Sequence, residues 1–65
     1  MAYTLNLRSL RKERNLTQAA LAKKSGVSRG IIGRIESDRD YVTTTTTLRK
    51  LAAALDIPVS ALFSA

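Results

Sequence analysis

The chain has 65 residues, eleven Lys and Arg against five Asp and Glu, a formal net charge of +6, and neither cysteine nor histidine. A chain of this size forms one small domain that buries only about 60% of its unfolded surface. Without cysteine there is no disulfide framework or thiolate metal site, and without histidine the commonest metal ligand and the usual general base are missing. The positive excess points to a polyanionic partner, either nucleic acid or an acidic membrane surface. No apolar run approaches the roughly 20 residues of a membrane span. The start, MAYTLNLRSLRKERN, has no apolar signal-peptide core, so a cytoplasmic location is expected.

The first helix is predicted from roughly Leu5 to Arg14, because Leu7, Leu10, Arg11 and Arg14 fall in one sector at about 100° per residue. The second runs from Gln18 to about Ser25, with Thr17 as N-cap. Gly26 then stands where a left-handed residue ends a helix at lowest cost. Ser28 caps a third helix that extends to about Ser37. After SDRDYV, a fourth covers Thr45 to Leu55, with Thr44 as N-cap and Leu48, Leu51, Ala52 and Leu55 on one stripe. Pro58 suits the first turn of a short last helix whose apolar side is Val59, Leu62 and Phe63. The apolar stripes read as core. The fold class is therefore all-α, five helices in a single domain over residues 1–65, with the threonine run Thr43 to Thr47 the one place where a strand could be argued.

The second helix, Gly26 and the third helix have the spacing of a helix-turn-helix, over about residues 17–37. Projected from Arg29, the third helix gathers Arg29, Gly30, Gly33, Arg34 and Ser37 within an arc of about 140°, with Ile31, Ile32 and Ile35 opposite. The two interior glycines each cost about 1 kcal/mol against alanine. On the polar face the core gains nothing from them, but close approach of the backbone to another surface would. The major groove, about 12 Å wide, accepts such a helix. The alternatives are that exposed positions simply tolerate glycine, or that Gly33 eases a helix crossing.

The segment LTQAALAKKSGVSRGIIGRIE, with RSLRKERNLTQ before it and TLRKLAAALDIPVSALF after it, resembles the helix-turn-helix of the lambdoid-phage-repressor and Cro-like (XRE-type) regulators. The resemblance covers about Leu7 to Phe63. It implies a repressor-like fold of five helices, a DNA-contacting third helix, and binding to a two-fold operator as a homodimer. By the same resemblance Gln18 opens the second helix near the phosphates and can support base contacts, with Thr17 beside it counted among the DNA-binding residues; Ser28, Arg29, Gly30, Gly33, Arg34 and Ser37 take the DNA-facing positions, and Ala22, Gly26 and Ile32 match the small, turn and buried positions. The chain departs from the family pattern at Ser25, where an apolar residue is usual; the Ser25 hydroxyl can bond back to a helix carbonyl instead. It departs again at Gly30 and Gly33, which replace residues that often read bases, and in Ser37 to Thr44, which lacks the usual glycine.

Arg11 lies within an apolar stripe, where an unpartnered guanidinium would be costly, and Glu36 at the edge of the third helix's apolar face is the best-placed acid to meet it. The alternative is that Arg11 snorkels to solvent. Thr43, Thr44 and Thr46 precede or open the fourth helix, whose free N–H groups could hold a DNA phosphate, although plain capping explains them equally. Lys23, Lys24, Arg39, Arg49 and Lys50 supply a general attractive field. Tyr3, Tyr41 and Phe63 are too scattered for a single-strand stacking platform. Ile57, Val59 and Phe63, with Tyr41 and Val42, are candidates for a dimer contact or for core, and Phe63 reads as core.

The expected function is a sequence-specific double-stranded DNA-binding transcription regulator of repressor or controller type. The alternative is an antitoxin-like or other protein-interaction module on the same fold. No residue set offers a nucleophile with a base, so enzymatic activity is not expected, nor is a metal, cofactor, small-molecule ligand or membrane partner.

Overall fold

The structure is a computed structural model that describes residues 4–38 and 40–64; Tyr3 and Arg39 lie outside them. Among the described residues the chain forms α1 (Leu7–Glu13), α2 (Gln18–Ser25), α3 (Arg29–Ser37) and α4 (Thr45–Leu55). A 3-10 turn (Val59–Leu62) follows, and β1 (Thr4–Leu5) pairs antiparallel with β2 (Phe63–Ser64).

Local chemistry sets most of these boundaries. The hydroxyls of Thr17, Ser28 and Thr44 accept from the backbone N–H groups of Ala20, Ile31 and Thr47 at 3.0, 3.2 and 3.1 Å. Each satisfies one orphan donor of a helix start, a contribution of about 1 kcal/mol. Gly26 ends α2 at φ 76°, a left-handed conformation that glycine adopts without steric cost. Ser25, the departure from the family pattern, donates to the Ala22 carbonyl at 3.5 Å and accepts from the Val27 N–H at 3.1 Å, so its hydroxyl is spent inside the turn.

Three expectations are corrected. The fifth helix is the 3-10 turn: four residues are too few to build an α-helical ladder, and Ala61 N–H reaches back only three residues, to the Pro58 carbonyl. The first helix starts at Leu7 rather than Leu5, because Leu5 pairs with Phe63 in the strand pair, which the sequence reading did not foresee. That pairing also turns Phe63 outward. It is 39% exposed and is not core.

Leu7, Leu21, Ile32, Leu51, Leu55 and Leu62 are the largest fully buried side chains, and they join α1, α2, α3, α4 and the 3-10 turn in one cluster. The isoleucine face of α3 supplies Ile32 and Ile35 to this core, with Ile31 packed against it. The opposite face is thereby presented outward.

Candidate nucleic-acid interface

The outward face of α3 carries Arg29, Gly30, Arg34 and Ser37, all exposed, with Gly33 half-buried between them. Arg29 projects from the first turn with no ion pair among the described residues. Ser37 folds back, donating to the Gly33 carbonyl at 2.8 Å. A Cβ at Gly30 would meet nothing within 4 Å, and one at Gly33 would meet only Gln18 Oε1, at 4.0 Å. Packing within the domain therefore does not demand glycine at either position, and the helix-crossing explanation for Gly33 is not needed.

The start of α2 adjoins this face. Gln18 donates from Nε2 to Glu36 Oε1 at 3.2 Å, a bond the sequence reading did not foresee. Glu36 also receives Arg11 in a two-point pair, Nε to Oε2 and Nη2 to Oε1, both at 2.9 Å. Their side chains are only 10% and 4% exposed. Arg11 Nη1 donates in addition to the Leu16 carbonyl at 2.7 Å. Arg11 thus ties α1, the turn before α2 and α3 together, and no buried side-chain polar atom is left without a partner among the described residues. Burial pushes the Glu36 carboxyl up, but the hydrogen bonds from Arg11 and Gln18, with the charges of Arg11 and Arg8, outweigh it and hold the group below its ordinary value. The bond to Glu36 raises Arg11 in turn. Glu36 therefore stays ionised and neutralised from within.

The end of α3 is built differently. The Arg34 guanidinium lies 4.8 Å from the centroid of the Tyr41 ring, and its Nη2 is 3.7 Å from Asp38 Oδ2. Asp38 Oδ1 accepts from the Asp40 N–H at 3.0 Å, and the Asp38 carbonyl accepts from the Tyr41 N–H at 3.1 Å. A groove of about 390 Å³ follows, lined by Ile35, Tyr41, Val42, Thr43, Leu48 and Phe63 among others. Val42 is 87% exposed at its edge. Thr43 lies in this groove, whereas Thr44 and Thr46 are exposed at the start of α4. Among the described residues no three His, Cys, Asp or Glu side chains gather as a metal site, and no helix is long and apolar enough to cross a membrane.

Two capped helices joined by a left-handed glycine, the second turning a cationic face outward, define a helix-turn-helix unit. The chain matches the helix-turn-helix family over residues 7–62. It is 46% identical over 56 residues to an immunity repressor protein of Bacillus phage phi105 (86% of this chain, 38% of the relative). It is 50% identical over 56 residues to the HTH-type transcriptional repressor RghR of Bacillus subtilis (86% of this chain, 42% of the relative). Its structure resembles the restriction-modification controller protein C.AhdI from Aeromonas hydrophila with a TM-score of 0.79 at 40% identity, over 88% of this chain and 85% of that one. The chain belongs to this helix-turn-helix family. It spans about two fifths of the length of the curated relatives it matches, 38% and 42%.

Proposed function

We propose that the protein represses or controls transcription by placing α3 in the major groove of a specific double-stranded operator, as a two-fold dimer. The observation that carries this reading is the outward face of α3, where Arg29 and Arg34 flank Gly30 and Gly33, positions at which the domain itself has no packing need for glycine. Residues without side chains let the helix backbone sit deep, and an arginine beside them can bind a guanine in bidentate fashion, the commonest specific contact. Thr17, Gln18 and Ser28 at the helix starts, and Thr43 and Thr44 before α4, are assigned to the phosphates on either side. The exposed Val42 and Phe63 are assigned to the contact between protomers. This reading gives the protein no catalytic reaction, and places its action where the DNA is.

The test is binding to a duplex selected from a random pool. Arg29→Ala and Arg34→Ala are compared on that duplex and on each single base-pair replacement. A base-reading arginine loses about 1–3 kcal/mol and relaxes preference at one position per half-site, while a phosphate-only arginine weakens all sequences alike. If neither variant differs from the parent chain on any duplex, α3 is not the reading element. Sedimentation of the complex tests assembly: two copies per operator are expected, and one copy contradicts the dimer.

A further inference from the structure

At the end of α3, Arg34 sits in an ion pair that itself adds little to stability. Asp38 places a carboxylate at the C-terminal end of a helix, the negative pole of its dipole, where anions are disfavoured. Its pairing with Arg34 runs in the weaker order for residues four apart, with the cation first. Arg34 is mostly in water and Asp38 about half, at 63% and 45% side-chain exposure, where an ion pair contributes little. Yet Asp38 is held on both sides, since its Oδ1 caps the Asp40 N–H and its carbonyl receives the Tyr41 N–H. These bonds form the tight turn that brings the Tyr41 ring under Arg34. Tyr41 is in turn packed against the core, so the ring is a platform with a definite place.

We propose that Asp38 and Tyr41 are positioning residues for Arg34: the ring fixes the plane of the guanidinium and the carboxylate keeps it off the phosphates, so that it reads a base edge. The inference rests on the DNA-binding reading above. A guanidinium is a planar fork whose bidentate contact depends on its orientation, and aromatic stacking selects one plane. An unrestrained arginine on an exposed helix end instead reaches the nearest phosphate, which adds affinity without discrimination. By holding Arg34 near a negative charge, Asp38 weakens that alternative more than it weakens a guanine contact, because the phosphate contact is the more purely electrostatic of the two.

The experiment measures binding of the intact chain to the selected duplex, to its single base-pair replacements and to random duplex, across a range of salt. Arg34→Ala first identifies the base pair that Arg34 reads. Tyr41→Leu then relaxes preference at that pair by about 2- to 5-fold, the strength of an exposed cation–π contact. Tyr41→Phe, which keeps the ring, preserves the preference. Asp38→Asn, a surface change, tightens binding to random duplex at low salt and steepens the log–log salt slope by about 0.9, one added phosphate contact. Circular dichroism confirms that each variant is folded. The proposal is overturned if Tyr41→Leu and Tyr41→Phe show the same preference at that pair, or if Asp38→Asn leaves the salt slope unchanged. It also fails if Arg34→Ala alters no base preference while Arg29→Ala does, an outcome that leaves the DNA-binding reading intact. A parent chain that prefers no duplex sequence removes the DNA-binding reading itself.

Discussion

Glu36→Ala removes one half of a buried, two-point ion pair, and its consequence can be worked from the contacts. The substitution takes away both bonds to Arg11, at 2.9 Å each, and the 3.2 Å bond from Gln18. Arg11 keeps the Leu16 carbonyl at 2.7 Å but has no counter-charge in a setting where its side chain is 10% exposed. Stranding one member of a buried pair costs about 3–5 kcal/mol. The retained carbonyl bond and the slight exposure put this case at the lower end, about 3 kcal/mol. A domain of this size is stable by roughly 3–10 kcal/mol in all, so a melting point lower by roughly 12–24 °C is expected. The double change Arg11→Met, Glu36→Leu removes both charges and leaves the Leu16 carbonyl as the main unpaired group, a cost of about 1–3 kcal/mol. Part of the loss should therefore return, and thermal denaturation of the two variants side by side measures it. A double variant that melts no higher than Glu36→Ala would refute the buried-charge reasoning.

Two further outcomes follow from the same geometry. Gly30→Ala and Gly33→Ala should each stabilise the free domain by up to about 1 kcal/mol on helix propensity, since a Cβ has room at both. At least one of them should weaken operator binding if the glycines serve close approach, and variants that melt higher and bind fully would show that the glycines are merely tolerated. Because the folded Glu36 carboxyl is held below its ordinary value, its contribution to stability is present above the unfolded value of about 4.3 and is lost as pH falls through the lower folded value. The melting point of the parent chain should therefore drop more steeply below about pH 4 than that of Arg11→Met, Glu36→Leu, and parallel curves would contradict this.

The parts of the fold legible in the sequence are those decided within a few residues. Thr17, Ser28 and Thr44 cap the helices that follow them because a hydroxyl there meets its own turn's free N–H, with no distant partner required. The Arg11–Glu36 pair was also legible, since a guanidinium inside an apolar stripe is costly without a partner and Glu36 was the best-placed acid to meet it. What escaped depends on contacts between distant segments. The pairing of Leu5 with Phe63 joins the two ends of the chain through strands too short to show alternation. It converts a predicted helix start into a strand and brings out a phenylalanine expected inside. In the candidate interface, the polar arc of α3 follows from periodicity alone. The placement of Tyr41 under Arg34 does not, because it depends on the bonds Asp38 makes with the Asp40 and Tyr41 N–H groups. The bond from Gln18 to Glu36 was hidden for the same reason, as it needs the crossing of α2 and α3.

The central claim is that this cationic helix-turn-helix reads a specific two-fold DNA sequence, and the most direct measurement is selection of bound fragments from random duplex followed by titration of the winner against salt. The account predicts enrichment of one sequence with half-site centres about 34 Å apart. It also predicts affinity that falls with a log–log slope near −5, as about six phosphate contacts require. A pool that enriches no sequence, or binding indifferent to salt, would contradict it.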